Sequence, residues 1–460
     1  MKWSTPAWTT AVRINQAIST TLPWKQMTTQ SNPQPALRRA ITKTGYSAMA
    51  LNSVIGAGIF GLPAVAAAKT GAFSPWLFVI AGILIFSVVL SFARASSMFR
   101  NTGGAVLYAS HAFGPFIGFQ AGWLAYLGRV TSMGANANLL VTYASWFWAP
   151  LADDLNRSIV MSVLIMGLTW LNVCGIRNSV GIIYVFTILK LLPLSLLVLF
   201  GLGHIDLQML GGADLPEFGQ LSEAVLIVLY AYVGFEGTVV AAGEGYRPRR
   251  DLPRAMINTI LFTGLIYVSI QLVAISSLPE LATSSKALTD LAVVLLGPVG
   301  ATLLTLGAVF SIGGNLQSTF MSAPRMTYAL AHDGSLPRWF ASVHGKYQTP
   351  HVSLWIYGVL CLAMALTGSF VWLAVMSTLA RLLTYIVCIA ALPRLQKTTE
   401  PVEDQFKLPG GLLIPAIAVL LCLWLITYAS AEAWLTTLVF MALGSVLYVL
   451  SRRLPGNQTR

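Results

Sequence analysis

The chain has 460 residues, of which 56% are apolar and only 10% charged, and its formal net charge is +12. A soluble domain carries about 25% charged residues, so this composition excludes an ordinary water-soluble domain and makes lipid the expected solvent. A bilayer span takes about 20 apolar residues, which leaves room for about a dozen spans with short loops.

Residues 1–43 are polar, with Trp3, Trp8 and Trp24 scattered among them and no apolar core of the signal-peptide kind. They read as a flexible cytoplasmic tail. Hydropathy then predicts twelve helices at about residues 45–68, 73–95, 116–149, 158–175, 179–202, 221–242, 254–278, 298–330, 351–367, 370–392, 411–428 and 432–450. Predicted helices 3 and 8 exceed one bilayer thickness, so they should tilt or project into water.

Lysine and arginine orient the bundle. With the N-terminus in the cytoplasm, the inner segments hold 22 of the 28 basic residues, including Arg94, Arg100, Arg177, the Arg247 to Arg254 run and Arg325. The outer segments hold Lys69, Arg157 and Lys286, and Lys190, Arg129 and Arg381 lie within the membrane. Such a bias follows the positive-inside rule and supports both an even helix count and two cytoplasmic termini. It also accounts for the net charge without a nucleic-acid partner, and the Arg247 to Arg254 run reads as a solvated loop near anionic lipid.

Catalytic and metal chemistry find little footing. The four cysteines, Cys174, Cys361, Cys388 and Cys422, sit in apolar stretches without metal spacing. The histidines fall in loops or at helix ends, and no nucleophile motif appears. The expectation is therefore no enzyme, no cofactor and no metal.

Two predicted helices carry glycine clusters: Asn52-Ser-Val-Ile-Gly-Ala-Gly-Ile-Phe-Gly-Leu-Pro63 in helix 1 and Tyr230-Ala-Tyr-Val-Gly-Phe-Glu-Gly237 in helix 6. Clustered glycines weaken a helix and permit unwound backbone. Within a bilayer, unwound backbone survives where protein or a water-filled cavity satisfies it. The breaks lie five helices apart, so the two helices run in opposite directions, as in an inverted repeat with a mid-membrane site. Close helix packing at small residues is the plainer alternative.

At these residues the chain resembles the amino acid–polyamine–organocation transporter superfamily, over about residues 45–394 and more weakly to the end. The family's Gly-x-Gly-Ile-Phe core stands as Gly56-Ala-Gly-Ile-Phe60. The loop after helix 2 has Gly103-Gly-Ala-Val-Leu-Tyr108, Gly114-Pro115 and Gly122-Trp123, with Val106 where the family has an aromatic. The loop after helix 6 reads Glu244-Gly-Tyr-Arg-Pro-Arg-Arg-Asp-Leu-Pro253, with Arg247 for the usual Asn and Gly243 for the usual paired acid. Arg325 and Ala331-His-Asp-Gly-Ser-Leu-Pro337 follow helix 8. The resemblance implies an all-α polytopic membrane protein of twelve transmembrane helices. They would form two five-helix inverted repeats, residues 44–203 and 204–395, with two added helices in 396–460. It also implies substrate binding at the breaks and alternating access.

The site chemistry follows from an α-amino acid's two charges. N–H groups at Gly56, Ala57 and Gly58, beside Ile55, face the start of a half-helix, a positive end suited to a carboxylate. Carbonyls around Ala231, Tyr232, Val233 and Gly234 suit the ammonium. Tyr230 matches the family's aromatic gate position, with a plain packed aromatic as the alternative. Lys190 stands midway along helix 5, where a cation costs about 2.5–3.5 kcal/mol on insertion scales. Relatives with a lysine there use it in place of a bound sodium ion. Here it could carry a proton, brace helices 1 and 8, or both. Sodium-coupled relatives have a Ser/Thr pair where this chain has Gly313 and Gly314, with Ser311 nearby, which favours proton coupling or exchange. Arg129, Glu236 and Arg381 read either as a gating network with residual positive charge, favouring substrates with an extra carboxylate, or as structural pairing. Some relatives carry a glutamate near Arg129, where this chain has Gly128, which argues against cationic substrates.

The expected function is secondary transport of an amino acid across the cell membrane, by proton symport or exchange against a counter-substrate. The partners are that solute, the proton or counter-substrate, and the bilayer. The alternatives are a non-transporting solute receptor on the same fold and a carrier of polyamines or other organic cations.

Overall fold

The computed structural model describes residues 41–99, 103–175, 180–206, 208, 214–399 and 405–453. The tail up to residue 40, with Arg100 and Arg177 of the basic inner set, lies outside the described residues. Within them the regular structure is helical, apart from one isolated bridge between Ile41 and Gly245.

The first predicted helix is two. Helix α1 (Lys43–Val54) starts at Thr42, whose hydroxyl accepts from the Gly45 N–H at 3.2 Å. Helix α2 (Gly58–Thr70) follows after three residues. A 3-10 turn at Gly71–Phe73 leads into α3 (Ser74–Met98). The stretch read as a loop after helix 2 contains a helix, α4 (Gly104–Phe113), bounded by Gly103 at φ 140° and Gly114 at φ 91°. Only glycine adopts those angles without strain, so the family's glycine motif marks helix boundaries here.

Helix α5 (Pro115–Ala144) ends earlier than the predicted 149, because a turn and the 3-10 segment Ala149–Ala152 intervene. Helices α6 (Asp154–Val173) and α7 (Val180–Gly201) complete the first half. The sixth predicted helix is broken into α8 (Phe218–Val228), a 3-10 turn at Leu229–Ala231, and the short α9 (Glu236–Val240). Helix α10 (Pro248–Ser277) follows. Helix α11 (Ala287–His332) bends at Gly297, φ 71° and ψ −174°. Its second segment matches the predicted helix 8, while residues 287–296 add a segment that hydropathy missed. Helices α12 (His351–Thr367), α13 (Phe370–Ala390), α14 (Leu392–Thr398), α15 (Leu413–Ile426) and α16 (Ala431–Arg453) end the bundle.

Among the described residues seven segments are long and apolar enough to cross a membrane, and three shorter apolar helices accompany them. One of the seven, Gly58–Met98, is α2 and α3 joined through their turn. The apolar surface points outward: Ile83, Val163, Leu265, Leu420 and Leu435 are all exposed. Large aliphatic side chains exposed on helix after helix make a more extensive apolar surface than a soluble monomer shows to water, whereas a helix facing lipid has no reason to bury them. The protein is an all-helical, multi-pass membrane protein.

Helices differ in depth. In Phe370–Thr398, 72% of the most apolar window is buried within the protein, against 17% in Ala431–Arg453. Helix α13 is thus interior and α16 peripheral. Helix α5 lies against α11, α12 and α13, and α3 against α10. The broken helices pack crosswise by halves, α2 on α8 and α1 on α9. First half meets second half, so the two run antiparallel with their breaks at one level.

Candidate functional site

The two breaks abut. A Cβ at Gly58 would lie 2.6 Å from the Ala231 Cα and 3.0 Å from its Cβ. Glycine at 58 is therefore what lets the backbones touch. Gly234 has φ 113° and sits against the Ser53 carbonyl, so it too must lack a side chain. Beside the junction lies a cavity of about 260 Å³. Gly56, Ala57 and Gly58 line it from the first break, and Tyr230, Val233 and Gly234 from the second. Its polar wall includes Arg129 and Ser132 on α5, Glu236 on α9, Asn315 and Ser322 on α11, and Arg381 on α13.

The first break leaves α1 with carbonyls that have no helical partner. Lys190 Nζ donates to the Ile55 carbonyl at 2.8 Å and reaches the Asn52 carbonyl at 3.4 Å. The Asn315 amide donates to the same Asn52 carbonyl at 3.1 Å. A cation at the negative end of a helix is favourably placed. Lys190 is fully buried and does not line the cavity. On the other side of the break, Gly56 and the cap residue Ala57 lead into α2 and Gly58 opens it, where a helix leaves its first N–H groups without internal acceptors.

The second break is held by its own glutamate. The Glu236 carboxylate accepts from the Gly234 N–H at 2.9 Å, from Arg381 Nε at 2.8 Å and from the Tyr385 hydroxyl at 2.8 Å. Arg381 also donates to the Gly128 carbonyl at 3.2 Å and to Ser377. A Cβ at Gly128 would lie 3.3 Å from Arg381 Cγ, so a small residue there leaves room for this arrangement. Among the described residues the carbonyls of Ala231, Tyr232 and Val233 accept no turn or side-chain hydrogen bond, whereas Gly234 O is taken by the Gly237 N–H at 3.0 Å.

The residues singled out by sequence separate into three groups. Gly56, Ala57, Gly58, Tyr230, Val233, Gly234, Arg129, Glu236 and Arg381 surround the cavity. Ile55 and Lys190 stand behind the first break, joined by their hydrogen bond. Ala231 packs under Gly58, and Tyr232 turns away to donate to the Phe78 carbonyl at 2.9 Å. Tyr230 and Tyr232 diverge because residues two apart on a helical turn face opposite sides. Arg129 donates to the Ser322 hydroxyl at 2.8 Å, while among the described residues Glu236 makes its ion pair with Arg381.

Sequence reasoning missed a chain of amides. The Tyr230 hydroxyl donates to Asn136 Oδ1 at 3.1 Å, and the Asn136 amide donates to Asn315 Oδ1 at 2.9 Å. Asn315 in turn holds the first break. The signal was present as periodicity: Ser132 and Asn136 are spaced i, i+4 on α5, and Asn315, Thr319 and Ser322 i, i+4, i+7 on α11. Polar residues recurring on one face of an apolar helix mark an interior cavity. Near the glycines of helix 8, Gly313 faces Leu140, and the Ser311 hydroxyl is buried without a partner among the described residues.

An interior polar cavity at two helix breaks, within an apolar multi-pass bundle, is the architecture of a solute carrier. A sequence model of the amino acid permease family matches residues 44–451, and the chain belongs to that family. Its family and relatives are transporters, not enzymes. The chain is 25% identical to the branched-chain amino acid permease BcaP of Bacillus subtilis, over 91% of this chain and 94% of that protein. It is 24% identical to the methylthioribose transporter of Bacillus subtilis, over 94% and 97%. It is 27% identical to the arginine/agmatine antiporter of Chlamydia pneumoniae, over 87% and 88%. Relatives at similar distance carry solutes of different charge and size, so kinship alone selects none of them.

Proposed function

We propose that this permease is a secondary active transporter that moves an amino acid by alternating access around the paired breaks. The observation that carries the reading is the contact of Gly58 with Ala231 beside the cavity. It brings the N–H groups at Gly56 to Gly58 into one site with the Val233 carbonyl, which accepts no turn or side-chain hydrogen bond among the described residues. An α-carboxylate would sit on the former and the ammonium on the latter. The half-by-half packing of the broken helices supports twelve membrane helices in two inverted repeats of five, with α15 and α16 added.

With both termini cytoplasmic, the cavity lies on the inner side of the breaks, among α1, α9 and the later part of α11. Tyr230 stands against Phe370, ring centroids 6.0 Å apart and edge to face, and forms the outer gate. Arg129, Glu236 and Arg381 form the inner charge network. Lys190 couples the first break to helix 5, bracing the α1 carbonyls and exchanging a proton during net transport. Proton symport and exchange are both compatible with this placement.

The test is uptake of radiolabelled amino acids by proteoliposomes holding the purified protein. Saturable uptake of at least one amino acid is expected; a broad screen of active protein that moves none overturns the assignment.

A further inference from the structure

Among the described residues, the charged ones lining the cavity are Arg129, Glu236 and Arg381. Glu236 is fully engaged: Oε1 accepts from Arg381 Nε, and Oε2 accepts from both the Gly234 N–H and the Tyr385 hydroxyl. This pair is neutral. Arg129 is close enough to feel the same carboxylate but makes no ion pair with it among the described residues, so the three groups together carry one excess positive charge. Arg129 Nη1 donates to the uncharged Ser322 hydroxyl, and among the described residues Arg129 forms no ion pair. Its Nη2 faces the bare backbone of Gly237, where a Cβ would lie 3.5 Å away, and the Tyr357 hydroxyl holds its carbonyl at 3.2 Å. A guanidinium does not shed its proton in proteins, and an uncompensated charge within a membrane bundle is costly.

We infer that the substrate is an amino acid of net negative charge, whose second carboxylate is received by Arg129. Charge balance in the cavity selects such a substrate, given the reading of this cavity as the amino acid site. A zwitterion brings no net charge and leaves the cavity with one excess cation. A dicarboxylic amino acid cancels it, through charge-assisted hydrogen bonds to a fork-shaped donor. A polyamine or other organic cation adds to the excess and is rejected.

Purified full-length protein in detergent is melted with L-glutamate against L-glutamine, L-aspartate against L-asparagine, and L-arginine, because a ligand that binds the folded state stabilises it. The better acid should half-saturate the shift at a concentration about tenfold or more below its amide, and arginine should give none. Arg129→Gln should bring the acid-to-amide ratio to about one, and Arg129→Lys should retain a preference for the acid. If amides stabilise as well as acids, or Arg129→Gln keeps the acid preference, the inference is overturned and the amino acid reading stands. If no amino acid of any charge shifts the melt, both fall. Should Arg129→Gln not fold, the acid-to-amide ratio of the unaltered protein still decides.

Discussion

The two breaks solve one problem in opposite ways. At the first, the carbonyls released from α1 are satisfied by side chains from elsewhere, Lys190 on α7 and Asn315 on α11. At the second, the stabilising carboxylate belongs to the break itself, and Glu236 binds the Gly234 N–H two residues before it. The first break thus depends on its neighbours' positions, while the second carries its cap with it and is tied to α13 through Arg381 and Tyr385. A helix end held by distant elements is released when those elements move, so the first break is suited to coupling and the second to serving as a fixed wall.

Three substitutions probe this difference. Glu236→Gln should have the largest effect on stability, because it leaves Arg381 as a buried cation without its counter-charge, a loss of about 3–5 kcal/mol. Melting of the purified variant should fall by many degrees; melting close to that of the unaltered protein would contradict the self-capped account of the second break. Lys190→Met should cost less, about 1–3 kcal/mol, because it strands the Ile55 carbonyl, while the Asn52 carbonyl keeps Asn315, and it leaves no opposite charge behind. Its distinctive consequence is functional: the pH dependence of net uptake should disappear, and unchanged pH-dependent uptake would remove the lysine from coupling. Tyr230→Phe should be mildest, about 1 kcal/mol, since the ring contact with Phe370 stays and the links to Ser132 and Asn136 are lost. Weaker substrate binding with little change in melting is expected; a melt as low as that of Glu236→Gln would make Tyr230 a structural residue.

Much of the site was legible because its cause is local. Gly56, Gly58 and Gly234 announce backbone that cannot stay helical, and the intramembrane charges Arg129, Lys190, Glu236 and Arg381 stand out against an apolar ground. What stayed hidden depends on tertiary contact. Nothing in the order of residues says that Glu236 chooses Arg381 over Arg129, or that Tyr230 enters the cavity while Tyr232 leaves it. Asn136 and Asn315 lie 179 positions apart, and their partnership exists only once α5 packs on α11. Helix α4 was missed for another reason: its ten residues are apolar but too few to register as a bilayer span.

The central claim is that the two breaks form the transport site through the close approach at Gly58. Counterflow in proteoliposomes preloaded with substrate tests it most directly, comparing Gly58→Ala with Gly167→Ala. A Cβ at Gly58 meets the Ala231 backbone, while one at Gly167 on α6 meets nothing within 4 Å. The account predicts counterflow lost in Gly58→Ala, in protein that still reconstitutes, and retained in Gly167→Ala. Counterflow in Gly58→Ala equal to that of the unaltered protein would contradict it.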